Sequence, residues 1–147
     1  MNILGIDIGG SGIKGAIVDT KKGELISDRI RIPTPKPATP EAISEVIKTI
    51  CQQLQWSNIV GVSFPTIIKK GRAMHFGNLD KSWKGTQVDK LFEQHSNNPF
   101  FVVNDADAAA MGVMEFGVGK AEKGLVITIT LGTGIGSGVF FNGELLS

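Results

Sequence analysis

Gly10-Ser11-Gly12-Ile13-Lys14-Gly15-Ala16-Ile17 returns near the other end of the chain as Gly132-Thr133-Gly134-Ile135-Gly136-Ser137-Gly138-Val139. Each copy follows a β-branched apolar run, Ile3 to Ile8 in the first and Leu125 to Leu131 in the second. Each continues into further apolar residues and a Gly-Glu-Leu turn, at Gly23-Glu24-Leu25 and Gly143-Glu144-Leu145. The unit reads as strand, glycine-rich hairpin, strand. Such a turn exposes backbone N–H groups with no side chains over them, which suits a chain of phosphates. Two such loops facing one another would hold a polyanion from both sides.

The residues between the copies alternate between strand and helix patterns. Asn2 to Ile8 and Ile13 to Asp19 read as hairpin partners, and Glu24 to Ile32 as a third strand. Pro33 to Pro40 is an extended connector rather than a recognition ligand, since it joins two regular elements. A helix starts at Pro40 with Thr39 as its cap, and Ile43, Val46, Ile47, Ile50 and Leu54 share one face. Ile59 to Phe64 reads as a buried strand and Ile67 to Met74 as a small hairpin whose Lys69, Lys70 and Arg72 are solvated. Asn78 to Gly85 is a polar loop, with Trp83 as loop packing rather than part of a ligand surface. A short helix over Gln87 to Gln94, a strand over Phe100 to Val103 and an alanine-rich helix from Asp105 to about Phe116 follow. This order predicts a mixed sheet with helices packed on it.

Composition narrows the function classes. A net charge of +1 and a 20% charged share argue against bulk attraction to nucleic acid or membrane. No apolar run approaches the ~18 residues of a membrane span. The N-terminus enters a strand without a basic n-region and apolar h-region, so a cytoplasmic address is expected. Glycine is the outlier, at 19 of 147 residues against about 7% in ordinary proteins, and much of the excess lies in the two repeats. The one cysteine, Cys51, excludes an internal disulfide and reads as a core residue. His75 and His95 lack partners at metal-ligand spacing.

Gly10-Ser11-Gly12-Ile13-Lys14-Gly15 matches the G-x-G-x-x-G dinucleotide fingerprint in form, but that fingerprint needs a helix to open at the glycines. Lys14 to Val18 reads as strand, which argues against a Rossmann oxidoreductase. Neither glycine cluster closes with the Gly-Lys-Ser/Thr of a Walker A loop. Asp7, near the end of the first strand, is suited to hold a hydrated Mg²⁺ against phosphates, because that ion keeps waters and takes only one or two carboxylates.

Gly5-Ile6-Asp7-Ile8-Gly9-Gly10-Ser11-Gly12-Ile13-Lys14 resembles the first phosphate motif of the actin-like ATPase superfamily, and Leu131-Gly132-Thr133-Gly134-Ile135-Gly136 looks like its second. Within that superfamily the chain resembles the ROK family of sugar kinases and repressors. The most specific segment is Phe101-Val102-Val103-Asn104-Asp105-Ala106-Asp107-Ala108-Ala109-Ala110, similar to the family's sugar-binding and catalytic stretch. Gly61 to Thr66 fits its strand and loop near the sugar, and Gly77 to Thr86 looks closest to the polyphosphate glucokinases of the group. The repressor branch carries an N-terminal helix-turn-helix, whereas this chain opens on a strand, so the kinase branch is expected.

The resemblance implies an α/β fold: an actin-like ATPase (ribonuclease H-like) lobe with a mixed sheet flanked by helices over residues 1–118, and the first strands of a truncated second lobe over 119–147. It implies phosphoryl transfer from polyphosphate, ATP or both to the 6-hydroxyl of glucose or a related hexose, as in glycolysis. Asn78, Asn104, Asp105 and Thr66 would contact the sugar. Asp7, Gly9, Gly10, Ser11, Gly12, Lys14, Gly132, Thr133 and Gly134 would contact the donor, with Mg²⁺ at Asp7 through water. The family's zinc-binding cysteine cluster has no counterpart here, so no zinc is expected. A homodimer is expected at full length, and the 147-residue piece alone is expected to be inactive.

Asp105 would act as general base on the sugar hydroxyl, a role that typically contributes 10²–10⁴-fold. A helix N-terminus favours negative charge by roughly 0.3–1 kcal/mol, which suits that role. The plain alternative is that Asp105 only caps its helix. Asp107, further round the helix, reads as solvated or supporting. The competing function is a non-catalytic sugar sensor or actin-like ATPase-type switch, which would need Asn104-type hydrogen bonds but no base.

Overall fold

The structure, a computed structural model, describes residues 1–132 and 134–146. The chain divides into two compact units, residues 1–103 and Asn104 onward. In the first, β1 (Asn2–Ile8) and β2 (Gly12–Asp19) form an antiparallel hairpin in register from Asn2↔Asp19 to Ile8↔Ile13. This strand partner over Lys14 to Val18 removes the Rossmann alternative. The single strand expected over Glu24 to Ile32 is instead two, β3 (Glu24–Leu25) and β4 (Ile30–Pro33), both paired to β2. The ladder breaks because the Ile17 amide donates to the Ser27 hydroxyl at 2.9 Å, so a side chain stands in for a backbone partner.

The Thr39 hydroxyl accepts from the Ala42 amide and starts α1 (Pro40–Gln53), with proline in the first turn where its missing N–H costs nothing. Ile43, Ile47 and Ile50 are fully buried along its inner face. A Cβ placed on Gly15 would lie 2.6 Å from Ile50 Cγ2, so this glycine serves the close approach of α1 to the sheet. The chain returns through β5 (Val60–Phe64), which pairs parallel to β1. A two-residue turn at Lys70-Gly71, both at positive φ, joins β6 (Ile68–Lys69) to β7 (Arg72–Ala73). After α2 (Val88–Ser96), β8 (Phe100–Asn104) completes a mixed sheet of order β3-β2-β1-β5-β8, with β4 also on β2.

Trp83 ends a short 3-10 turn (Lys81–Trp83) and is fully buried. It packs edge-on to Phe64 and Phe92, with ring centroids at 4.8 and 6.0 Å, and its indole N–H donates to the Ala38 carbonyl at 2.8 Å. It is core, as the packing reading expects. Cys51 is buried on α1, and burial pushes its thiol up to about 11, which leaves it protonated and unreactive at neutral pH.

The second unit holds α3 (Asp105–Phe116), β9 (Leu125–Leu131), β10 (Ile135–Phe141) and β11 (Glu144–Leu145). β9 and β10 pair from Leu131↔Ile135 to Leu125↔Phe141. One face of this hairpin carries Gly136 and Gly138, where α3 approaches through Ala106 and Ala110; a Cβ on Gly136 would lie 2.7 Å from the Ala106 methyl. The opposite face carries Leu125, Ile127, Ile129, Leu131, Ile135 and Phe141, all exposed. Asn104 caps α3: its Oδ1 accepts from the Ala106 and Asp107 amides. Burial, and then the neighbouring Asp105 charge, push the Asp107 carboxyl above its ordinary value. Among the described residues no helix is long and apolar enough to cross a membrane.

Gly15→Val should cost about 1–3 kcal/mol in urea unfolding through overpacking against Ile50. Gly10→Ala, with no atom within 4 Å of the added methyl, should stay within about 0.5 kcal/mol. Because Asp107 holds its proton more tightly folded than unfolded, its charge opposes folding once the pH rises above the ordinary carboxylate range. Asp107→Asn should therefore raise the unfolding midpoint at pH 7 and leave it unchanged at pH 3.

Candidate functional site

The β1–β2 turn is the best-defined part of the site. The Gly9 amide donates to the Gly12 carbonyl at 3.1 Å and closes the loop on itself. A side chain on Gly9 would press on that carbonyl at 3.0 Å. Two further loop carbonyls, those of Gly9 and Ser11, are bound from the β4 side. The Thr34 hydroxyl donates to the Gly9 carbonyl at 2.5 Å, and Arg31 Nη2 to the Ser11 carbonyl at 3.1 Å. The Gly10 and Ser11 amides donate to no acceptor among the described residues. Three of the loop's four carbonyls are tied back and two of its amides are bare, an arrangement suited to an anion.

Beside it a polar row crosses the sheet. Strand register sets Ser63, Asp7, Lys14 and Arg31 side by side on β5, β1, β2 and β4. The Ser63 hydroxyl donates to Asp7 Oδ1 at 3.1 Å, and Lys14 Nζ lies 3.4 Å from Asp7 Oδ2. The side chains of Lys14 and Asp7 are 40% and 51% exposed, so this ion pair adds little to stability and stays open to a ligand. Among the described residues no three His, Cys, Asp or Glu side chains cluster as a metal cage.

A concavity of about 320 Å³ opens from Gly10 and is lined by Thr34, Lys36, Asn78 and Asp80 among others. It joins the glycine loop to Asn78, two candidates far apart in sequence. Asn78 is held there because Gly77, at φ +56°, lies against the Pro65 carbonyl with Thr66 beside it. Thr66 is itself buried. The Ser82 hydroxyl, then the Ser82 amide, hold the Asp80 carboxyl below its ordinary value.

The second unit carries the remaining candidates. Asp105 opens α3 and is exposed, and its Oδ1 accepts from the Ala106 amide at 2.9 Å. The principal cap is Asn104, one residue earlier. In the β9–β10 turn the Gly132 amide donates to the Gly134 carbonyl at 2.9 Å. Thr133 lies outside the described residues. Ser63, Arg31 and Thr34 join the row and the loop with no motif in the sequence that singles them out. The signal for Arg31 was its register opposite Lys14, hidden while Glu24 to Ile32 read as one strand.

Comparisons with known proteins agree with this fold. The chain is 44% identical over 144 residues to polyphosphate glucokinase of Mycobacterium tuberculosis, covering 97% of this chain and 54% of that protein. Its fold matches the crystal structure of an inorganic polyphosphate/ATP-glucomannokinase from Arthrobacter sp. strain KM at a TM-score of 0.94 and 46% identity, over 99% of this chain and 60% of that one. A glucokinase from Streptomyces griseus, crystallised with glucose and AMPPNP, matches at a TM-score of 0.85 and 32% identity, over 99% of this chain and 46% of that one. The chain thus spans about half the length of the curated relatives it matches. The ROK family model matches residues 3–147. With that match across nearly all its residues, and with the mixed sheet and flanking helices of those sugar kinases, the chain belongs to the ROK family.

Proposed function

We propose that the whole protein is a hexose kinase that transfers a terminal phosphoryl group from polyphosphate, ATP or both to the 6-hydroxyl of glucose or a related hexose. The observation that carries this reading is the bare-amide loop, with Asp7 and Lys14 beside it, opening into one concavity with Asn78. Gly9, Gly10, Ser11, Gly12 and Lys14 bind the donor from the first lobe, and Gly132, Thr133 and Gly134 from the second. Thr66, Asn78, Asn104 and Asp105 bind the sugar. In this reading residues 1–118 belong to the first lobe and 119–147 open the second. A cytoplasmic homodimer acting in glycolysis is part of the same proposal.

Asp105 takes the proton of the sugar hydroxyl as that oxygen attacks the terminal phosphorus. The new O–P bond forms while the bond to the rest of the donor breaks, and the shortened donor leaves with the electron pair. A carboxylate at the start of a helix suits this task. Phosphoryl transfer otherwise depends mainly on alignment and charge stabilisation, which the loop amides and Lys14 provide. Asp7 fits a hydrated Mg²⁺, since one half-exposed carboxylate fixed by Ser63 is enough when donor phosphates complete the shell. When bound, that ion would offset the charge of the donor oxygens.

Asp105→Asn in the full-length protein should lower kcat by about 10²–10⁴-fold while sugar binding is largely kept. A coupled assay for hexose 6-phosphate, with calorimetric titration of glucose, measures both. Unchanged kcat would remove Asp105 from the chemistry. Glucose binding without any phosphorylation by the wild type would favour the sensor reading.

A further inference from the structure

We infer that Arg31 is a specificity residue for an extended inorganic polyphosphate, binding donor phosphates upstream of the one transferred. The inference rests on the phosphoryl-transfer reading above and extends it to a residue outside the glycine motif. Arg31 is exposed, yet its guanidinium is fixed. Nη2 donates to the Ser11 carbonyl at 3.1 Å, and the group lies flat over Gly12, where a Cβ would stand 2.8 Å from Cζ, Nε and Nη2. The missing side chain at Gly12 is therefore what seats a cation against the anion loop.

The charge on this cation is uncompensated. Among the described residues Arg31 has no carboxylate within ion-pair distance, and its cross-strand neighbour is Lys14. Like charges directly opposite on paired strands are unfavourable. Lys14 can lean on Asp7, but Arg31 is turned to a carbonyl and retains further N–H donors in a rigid fork suited to phosphate oxygens. An anion over the pair would turn the repulsion into attraction.

Position favours a long donor over a nucleotide. Ser63, Asp7, Lys14 and Arg31 succeed one another across four strands. The sugar candidate Thr66 follows β5 at the Ser63 end, so Arg31 stands at the end of the row away from the acceptor. A polyphosphate running along the row still presents charge at that end. A nucleoside triphosphate offers only three phosphates before an uncharged sugar and base.

The test compares wild type, Arg31→Gln and Arg31→Lys in the full-length protein, each with thermal melting as a folding control. Arg31→Gln should lose about tenfold in kcat/KM for long-chain polyphosphate, through KM, and clearly less for ATP, where only the tie to the Ser11 carbonyl is lost. Arg31→Lys should recover part of the loss, since it restores the charge but not the fork. Binding of long-chain polyphosphate to the sugar-free protein should weaken in parallel and lose part of its salt dependence. Equal losses with both donors would overturn the inference, as would unchanged polyphosphate binding. A wild type that phosphorylates no sugar would sink the kinase reading alone, because the direct binding measurement would still report on Arg31.

Discussion

The site depends on which side of one glycine turn is already satisfied. Gly9 and Ser11 give their carbonyls to Thr34 and Arg31, and Gly12 gives its own to the Gly9 amide. Three of the four loop carbonyls thus have partners within the protein, which fixes the turn without a ligand. The amides of Gly10 and Ser11 are left on the other side. A cradle organised before the anion arrives needs no ordering of its backbone on binding. Thr34 and Arg31 come from β4 and the residue after it, so the ties on the loop lie on the strand that follows the β3–β4 break. A straight strand from Glu24 to Ile32 would have had no Ser27 bond to bend it.

The glycines divide by physical task. Around the first repeat Gly9 yields room to a carbonyl, Gly12 to a guanidinium and Gly15 to a helix, while Gly10 has open space before it. In the second copy, Gly136 and Gly138 let α3 approach β10, so they correspond in task to Gly15 rather than to Gly10 and Gly12. The two hairpins are therefore similar in sequence but not identical in build. The first turn holds Gly9 to Gly12 between paired residues Ile8 and Ile13, and the second holds one residue fewer between Leu131 and Ile135.

Much of this was legible in the chain. Apolar patterning located β1, β2, α1 and β5 because each buries one regular face, alanine content located α3, and Thr39-Pro40 marked a helix start by capping chemistry alone. Lys14 to Val18 read as strand, and that one assignment separated this fold from a dinucleotide-binding one. The split of the third strand was not legible, because Ser27 acts there through a tertiary bond to Ile17 that no local pattern encodes. The Ser63–Asp7–Lys14–Arg31 row was hidden for the same reason: it exists only once four strands are in register. Asn104 as the cap of α3 was half visible, since Asn and Asp at adjacent positions compete for that task and only the backbone decides between them.

The central claim is that the Gly9–Gly12 turn offers bare amides to phosphate. Amide chemical shifts of glycine- and serine-labelled protein, followed while tripolyphosphate is added, test it most directly. Saturable shifts led by Gly10 and Ser11, with Gly61 and Gly71 unmoved, are the predicted result. Shifts spread evenly over the surface, or confined to residues away from the turn, would contradict it.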